Sequence, residues 1–248
     1  MADPVNQMQS AVVDGAPGLR PRWQRWLPWR SRCLGCGDPV VGPIDLCADC
    51  RARLPWNRTP CPACAWPLPL DTPAGACPAC RAPESPLTAT IAPLLYAAPV
   101  DRWQPRFKFR HDLAAGRLLG LLLARACAGS DRPDAIVPVP LHRTRLRARG
   151  YDQALELAKI LSRTLRLPLH AGLLLRSRAT EPQSQLAAEA RHANLRGAFA
   201  VRAGAALPAH VALVDDVMTT GATLHAAGHA LRAAGVARVD AWVCARVP

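Results

Sequence analysis

Apolar and polar positions change rhythm along the chain, and from residue 88 onward they predict strands alternating with helices. TATIAPLLYA (88–97) predicts a strand, and the run from about Arg102 to Ala128 predicts helix with a break near His111. AIVPVPL (135–141) predicts a strand, YDQALELAKILSRTL (151–165) an amphipathic helix, and HAGLLLR (170–176) a strand. A long polar connection, RSRATEPQSQLAAEARHANLRGAF (176–199), follows. VALVDD (211–216) has the pattern of a buried strand, ATLHAAGHALRAAG (222–235) that of a helix, and VDAWVCARV (239–247) that of a last strand. Apolar strands separated by helices of this length predict an α/β domain, a parallel sheet flanked by helices on both faces.

Residues 33–80 break this rhythm. They hold eight of the ten cysteines and are rich in Pro and Gly, which excludes long helices or strands there. The expected organisation is a tail at 1–30, a Cys-rich module at 31–85 and the α/β domain at 86–248. In the tail, Trp23, Trp26 and Trp29 interleave with Arg20, Arg22, Arg25, Arg30 and Arg32, and Pro28 limits any helix to roughly two turns. Indoles and arginines in this pattern can contact single-stranded nucleic acid or a membrane surface, or simply pack on the neighbouring domain; the second is the favoured expectation.

Composition sharpens the picture at two points. The 248 residues carry a formal charge of +13, supplied almost wholly by arginine since Lys108 and Lys159 are the lysines. Such a balance suits phosphate-bearing partners, and equally an Arg-rich solvated surface. The first residues, MADPVNQMQSAVVDGAPG, lack the basic and apolar regions of a secretory signal. The longest apolar stretch, Leu118 to Gly129, is interrupted by Arg125 and is too short to span a bilayer. A cytoplasmic protein without a transmembrane segment is expected, and in a reducing compartment clustered cysteines read as metal ligands.

The cysteines form four CxxC pairs: Cys33/Cys36, Cys47/Cys50, Cys61/Cys64 and Cys77/Cys80. Each such turn points two sulfurs at one place, and tetrahedral Zn²⁺ takes two turns, so two structural zinc sites are expected. Thiolate-only ligation favours closed sites over catalytic or redox ones. Short gaps favour sequential pairing, and cross-brace pairing is also allowed. Cys127 and Cys244 stand alone in apolar stretches and are expected in the core.

VALVDDVMTTGATL (211–224) carries the chemistry. A buried strand brings Asp215 and Asp216 to its C-terminal edge, where ligands sit in open parallel sheets. The loop Thr219, Thr220, Gly221, Ala222 and Thr223 then opens a helix, so its N–H groups and hydroxyls can converge on one phosphate, with Gly221 permitting the tight turn. The two carboxylates are placed to accept hydrogen bonds from ribose hydroxyls, directly or through Mg²⁺.

VALVDDVMTTGAT resembles the phosphoribosyl pyrophosphate (PRPP) fingerprint of type I phosphoribosyltransferases. Taken with the four CxxC units, IVPVPLHRTRLRARGYDQA (136–154) and TEPQSQLAAEARHANLRGAF (180–199), the chain resembles the ComF family over roughly residues 33–248. The resemblance implies a type I phosphoribosyltransferase-like sheet preceded by a double zinc ribbon. It implies PRPP as ligand, a pyrophosphate loop at Pro140, Leu141, His142 and Arg143, with Arg145, Arg147 and Arg149 beside it, and a lid carrying Gln183, Arg191 and Asn194. It also implies a role in handling single-stranded DNA with the DNA-uptake machinery. Lys108 matches a recurrent family lysine. The family's usual RGFNQ reads Arg149-Gly150-Tyr151-Asp152-Gln153 here, so a carboxylate enters the presumed anion site. Three functions compete: Mg²⁺-dependent phosphoribosyl transfer with pyrophosphate release, a non-catalytic PRPP-regulated accessory for single-stranded DNA, and a zinc-stabilised adaptor with a relic pocket. No residue presents itself as nucleophile or general base.

Overall fold

The computed structural model describes residues 31–72, 75, 77–80, 85–177 and 197–248. The tail, and the lid positions Gln183, Arg191 and Asn194, lie outside these residues.

A parallel five-stranded sheet forms the centre. Strands β3 (Ala89–Ile91) and β4 (Leu94–Leu95) follow one another along one edge, then come β9 (Arg238–Arg246), β8 (His210–Met218) and β5 (Ala135–Pro138). The 88–97 stretch is therefore two short strands, separated by Ala92 and Pro93, and Pro93 has no N–H to give a ladder. Alternation along β8 and β9 divides the core in two. Ala212, Val214, Trp242 and Cys244 face helices α2 (Val100–Arg110), α3 (Leu113–Cys127) and α5 (Gln153–Leu165). Val211, Leu213, Ala241 and Val243 face α6 (Ala222–Ala234) and a small hairpin. Cys127 and Cys244 are buried, as expected.

The predicted helical break is sharp. His111 closes α2 in the left-handed region at φ 56°, and Asp112 caps α3 by accepting from the Ala115 N–H at 3.0 Å. Arg106 fastens the corner with an ion pair to Asp112 at 2.6 Å.

Two elements differ from expectation. HAGLLLR contributes only β6 (Leu174–Arg176), antiparallel to β7 (Phe199–Val201) and off the main sheet. Beside the main sheet the chain here makes, among the described residues, only a parallel bridge of Leu169 to Ile136, with the His170 N–H on the Ile136 carbonyl at 2.9 Å, and pairing with β7 takes the rest away from it. The arginines after Leu141 form a short helix, α4 (Arg143–Arg149), and not a loop. Half-buried His142 caps it toward the Thr144 N–H, and Gly150 ends it at φ 78°.

The Cys-rich segment folds as two knuckles without a core of their own. In the first, β1 (Ser31–Arg32) pairs antiparallel with β2 (Pro39–Val40), and the short helix α1 (Ala48–Ala52) follows. Its Cys33, Val40, Leu46 and Leu54 join the core around Trp103 and Phe107, while Ala65 of the second knuckle joins the core of the other face. Among the described residues no helix is long and apolar enough to cross a membrane.

Candidate functional site

The four sulfurs of Cys33, Cys36, Cys47 and Cys50 lie within 4.8 Å of one another, as do those of Cys61, Cys64, Cys77 and Cys80. Pairing is sequential. The Cys36 and Cys47 sulfurs are 3.8 Å apart and those of Cys64 and Cys77 3.7 Å. A tetrahedron with Zn–S bonds of about 2.3 Å has edges of about 3.8 Å, so both donor sets fit Zn²⁺. Backbone N–H groups also aim at the sulfurs, from Cys47 to Cys33 at 3.3 Å and from Cys77 to Cys61 at 3.2 Å. Burial disfavours the Cys33 thiolate, but N–H groups of Cys47, Cys36 and Gly35 outweigh it and bring its pKa down to about 6. The two tetracysteine sites are those of structural zinc.

A cavity of about 540 Å³ opens at the C-terminal edge of the sheet. β8 delivers Asp215 and Asp216 to its floor, and α6 contributes Thr219 and Thr223 from the loop and first turn. A smaller cradle continues from it, sharing Asp215, Thr219 and Thr223 and adding Gly221 and Ala222. Gly221 has φ 80°, a conformation that disfavours any side chain, and a Cβ there would also come 2.5 Å from the Met218 methyl and displace that side-chain tip. Thr220 turns inward on the loop, accepting from the Ala222 N–H at 3.4 Å.

Acidic and basic walls face each other across the cavity. Asp215 is surrounded by protein yet keeps one edge open to the space; burial, then the charge of Asp216, pushes its carboxyl up to about 8. Lys108 Nζ lies 2.9 Å from Asp216 Oδ2, and that carboxylate raises the Lys108 pKa against the effect of burial. The recurrent lysine thus neutralises one of the two adjacent acids. Gln104, one turn earlier on α2, donates to the Asp216 carbonyl at 3.3 Å.

On the opposite wall, Arg145 and Arg149 share one face of α4 at i, i+4 spacing and line the cavity, while Arg143 and Arg147 face solvent. Pro140 and Leu141 also line it; His142 and Arg143 stand outside the wall. Arg176 comes from the end of β6, where burial and the neighbouring charge of Arg145 lower its pKa to about 10.

The RGYDQ segment explains itself in this setting. Arg149 donates to Gln153 Oε1 at 3.0 Å, and the Tyr151 ring packs against Phe107 at 5.7 Å between centroids. Asp152 uses both oxygens on backbone: Oδ1 accepts from Leu155 N–H at 3.2 Å, capping α5, and Oδ2 from Leu141 N–H at 3.0 Å. It fixes the 139–141 turn, and burial raises its pKa.

Sequence reasoning missed Arg176. The run of leucines 173–175 hides which face turns inward; the structure buries Leu174 and exposes Leu175, so the arginine two places beyond Leu174 points inward on the strand. Gln104 was also missed and had a weaker signal, a polar residue beside the buried Trp103 of α2, whereas Lys108 was marked by the family resemblance without a role.

The chain matches the double zinc ribbon domain over residues 25–81 and the phosphoribosyl transferase domain over residues 152–248. It is 34% identical over 224 residues to competence protein F of Haemophilus influenzae, covering 87% of this chain and 96% of that protein. It is 33% identical over 224 residues to the DNA utilization protein YhgH of Escherichia coli K12, covering 86% and 96%, and 32% identical, with the same coverage, to that of Salmonella typhimurium. The fold, the paired cysteine sites and this likeness along nearly the whole chain place the protein in the ComF family.

Proposed function

We propose that the protein binds PRPP and transfers its phosphoribosyl group, releasing pyrophosphate. One observation carries this reading: a single cavity joins the Asp215–Asp216 floor, the Thr219–Thr223 cradle and an arginine wall. In the proposed pose the 5-phosphate sits in the cradle against backbone N–H groups and the start of α6. Asp215 and Asp216 accept hydrogen bonds from the ribose hydroxyls. The pyrophosphate faces Arg145, Arg149 and Arg176, with Pro140 and Leu141 beside it; Gln183, Arg191 and Asn194, outside the described residues, are the further residues the ComF resemblance assigns to this ligand.

The chemistry is displacement at the anomeric carbon. An acceptor lone pair forms the new bond to C1 as the C1–O bond to pyrophosphate breaks, and the bonding electrons leave on the pyrophosphate oxygen. The arginines stabilise that growing charge, and the fixed cradle holds C1 in line. Mg²⁺ suits the Asp215 edge, where a buried carboxylate lacks a full countercharge, and would neutralise part of the pyrophosphate charge. A cytoplasmic location follows from the supply of this substrate.

Calorimetric titration of the zinc-loaded protein with PRPP and Mg²⁺, beside Asp215→Ala/Asp216→Ala and with pyrophosphate monitored, tests the proposal. Binding lost in the double variant is expected; equal binding would move the ligand elsewhere.

The names of the relatives favour a second reading, in which PRPP binding governs the handling of single-stranded DNA with partners of the uptake machinery. The exposed Arg143 and Arg147, and Arg149 stacked over the exposed Phe109 ring at 5.2 Å, support it. Affinity for an oligodeoxynucleotide that falls steeply with salt and changes with PRPP is its expected signature; salt-insensitive binding would remove it.

A further inference from the structure

Arg246, the last residue of β9, is buried and joins two parts of the molecule that the proposed chemistry treats separately. Its Nε donates to the Cys64 carbonyl at 3.1 Å, and its guanidinium lies 4.9 Å from the centre of the Trp66 ring. Its Nη1 donates to the Met218 carbonyl at 3.1 Å and also to that of Thr219. One side of the fork holds the second knuckle, and the other holds the point where β8 becomes the phosphate loop. Among the described residues no carboxylate forms an ion pair with it. The nearest source of negative charge is the Cys61, Cys64, Cys77, Cys80 cluster, since four thiolates around one Zn²⁺ leave a net charge of about −2.

The two carbonyl contacts matter because a peptide unit is planar and trans, so its N–H points opposite to its C=O. Holding the Thr219 oxygen, and with the Val247 N–H (2.9 Å) the Met218 oxygen, on the Arg246 side turns the Thr219 and Thr220 N–H groups away from it. Among the described residues these two amides donate to no protein acceptor. They are the first donors of the cradle. Among the described residues the first knuckle has no equivalent link to the loop: Arg117 ties it to α3 through Asp45 and the Pro43 carbonyl, on the other face of the sheet.

We propose that Arg246 is a strut between the second zinc site and the phosphate loop, so that metal held by Cys61, Cys64, Cys77 and Cys80 sets the loop's readiness to bind a phosphoribosyl phosphate. Arg246 is a positioning residue that acts through the Thr219 and Thr220 amides. Thermodynamic reciprocity then requires that a phosphate ligand in the cradle strengthen retention of zinc at the second site and leave the first alone. The ligand part rests on the phosphoribosyl reading of the loop; the strut does not.

The test is amide hydrogen exchange at Ala222 and His225, whose N–H groups bond Thr220 Oγ1 and the Gly221 carbonyl and so report the order of the loop, in the zinc-loaded full chain without ligand, for wild type, Arg246→Lys and Arg246→Met. Lysine keeps the charge but cannot span the Cys64 and Met218 carbonyls together. Exchange at these amides at least tenfold faster in both variants, with α3 and β5 amides unchanged, is the expected result. Unchanged loop exchange in Arg246→Lys overturns the strut. If Arg246→Met does not fold, wild type treated with chelator gives the same reading: loss of zinc that leaves loop exchange untouched overturns it. Chelator-driven release is then followed with PRPP and Mg²⁺ present. Protection of one zinc of the two, at least threefold and absent in Arg246→Lys, supports the coupling; equal protection of both, or of neither while PRPP binds, overturns it. A wild type that binds no PRPP but shows the loop effect leaves the strut standing and removes the phosphoribosyl reading.

Discussion

PRPP binding is expected to expel a proton, and the amount follows from Asp215. Its carboxyl is pushed up to about 8, first by burial and then by the charge of Asp216. A group of that pKa is about 90% protonated at pH 7 and about 10% at pH 9. Ribose hydroxyls donating to both carboxyl oxygens, or Mg²⁺ facing them, favour the ionised form, because a protonated carboxyl keeps one oxygen as a donor. Binding should therefore release about 0.9 proton at pH 7 and about 0.1 at pH 9, the proton belonging to the coupled Asp215–Asp216 pair. Titration calorimetry in buffers of different ionisation enthalpy reads this number as the slope of apparent enthalpy against buffer enthalpy. Asp215→Asn keeps the shape without the proton, and the difference from wild type cancels the ionisation of PRPP itself. Equal slopes in wild type and Asp215→Asn at pH 7 would refute the reasoning, because the pair would already be fully ionised. The same shift has a sign for stability. The folded state holds a proton that the unfolded chain gives up near pH 4, so this group's contribution falls as pH rises from about 4 to about 8 and is level above.

Further outcomes follow from single side chains. Cys36→Ser and Cys80→Ser should each lower bound zinc from two per chain to one by elemental analysis; loss of both metals from either variant would contradict two independent sites. Asp152→Asn removes a negative charge from the arginine wall and should tighten pyrophosphate binding on the order of threefold to tenfold. It also sets an amide N–H₂ against one of two backbone donors, costing about 1 kcal/mol and a few degrees of melting temperature; weaker binding would assign Asp152 to cation recruitment instead. Gly116→Ala places a Cβ 2.3 Å from the Phe107 ring, which is fully buried and has little room to move away. A loss of about 1–3 kcal/mol by denaturant unfolding is expected, and an unchanged midpoint would show a looser α2–α3 contact.

The sheet was legible because β8 and β9 are long and apolar with residues that serve both faces, and because Asp215 and Asp216 interrupt that apolar run at its end. The zinc sites were legible because CxxC spacing fixes sulfur geometry locally. Features set by distant contacts were not. Nothing local in RTRLRAR distinguishes a loop from a seven-residue helix; the His142 cap and the Gly150 exit decide it. HAGLLLR reads as a strand, but its partner Phe199–Val201 lies beyond a long polar connection, so its departure from the main sheet carried no local mark. Asp152 read as a charge in an anion site, and its two backbone partners became evident only when Leu141 and Leu155 were seen to converge on it.

The same long-range contacts explain why the zinc knuckles are part of the fold and not an appendage. A sheet edge exposes unpaired backbone groups, and β3 and β4 are the edge beside β9. The knuckles cover it. Thr90 N–H donates to the Pro62 carbonyl at 2.9 Å, Leu95 N–H to that of Pro55 at 2.8 Å, and Asn57 N–H to that of Pro93 at 2.8 Å. The Thr90 hydroxyl adds a bond to the Ala63 carbonyl at 2.7 Å, within the second CxxC-bearing knuckle. Each knuckle also gives apolar residues to the core of one face, so the metal sites hold in shape a segment that closes both the edge and the core. The strand next to that edge, β9, is the one that ends in Arg246 beside the phosphate loop. The Cys-rich segment reaches the proposed site through one strand, and this contiguity gives a structural metal a physical route to ligand affinity.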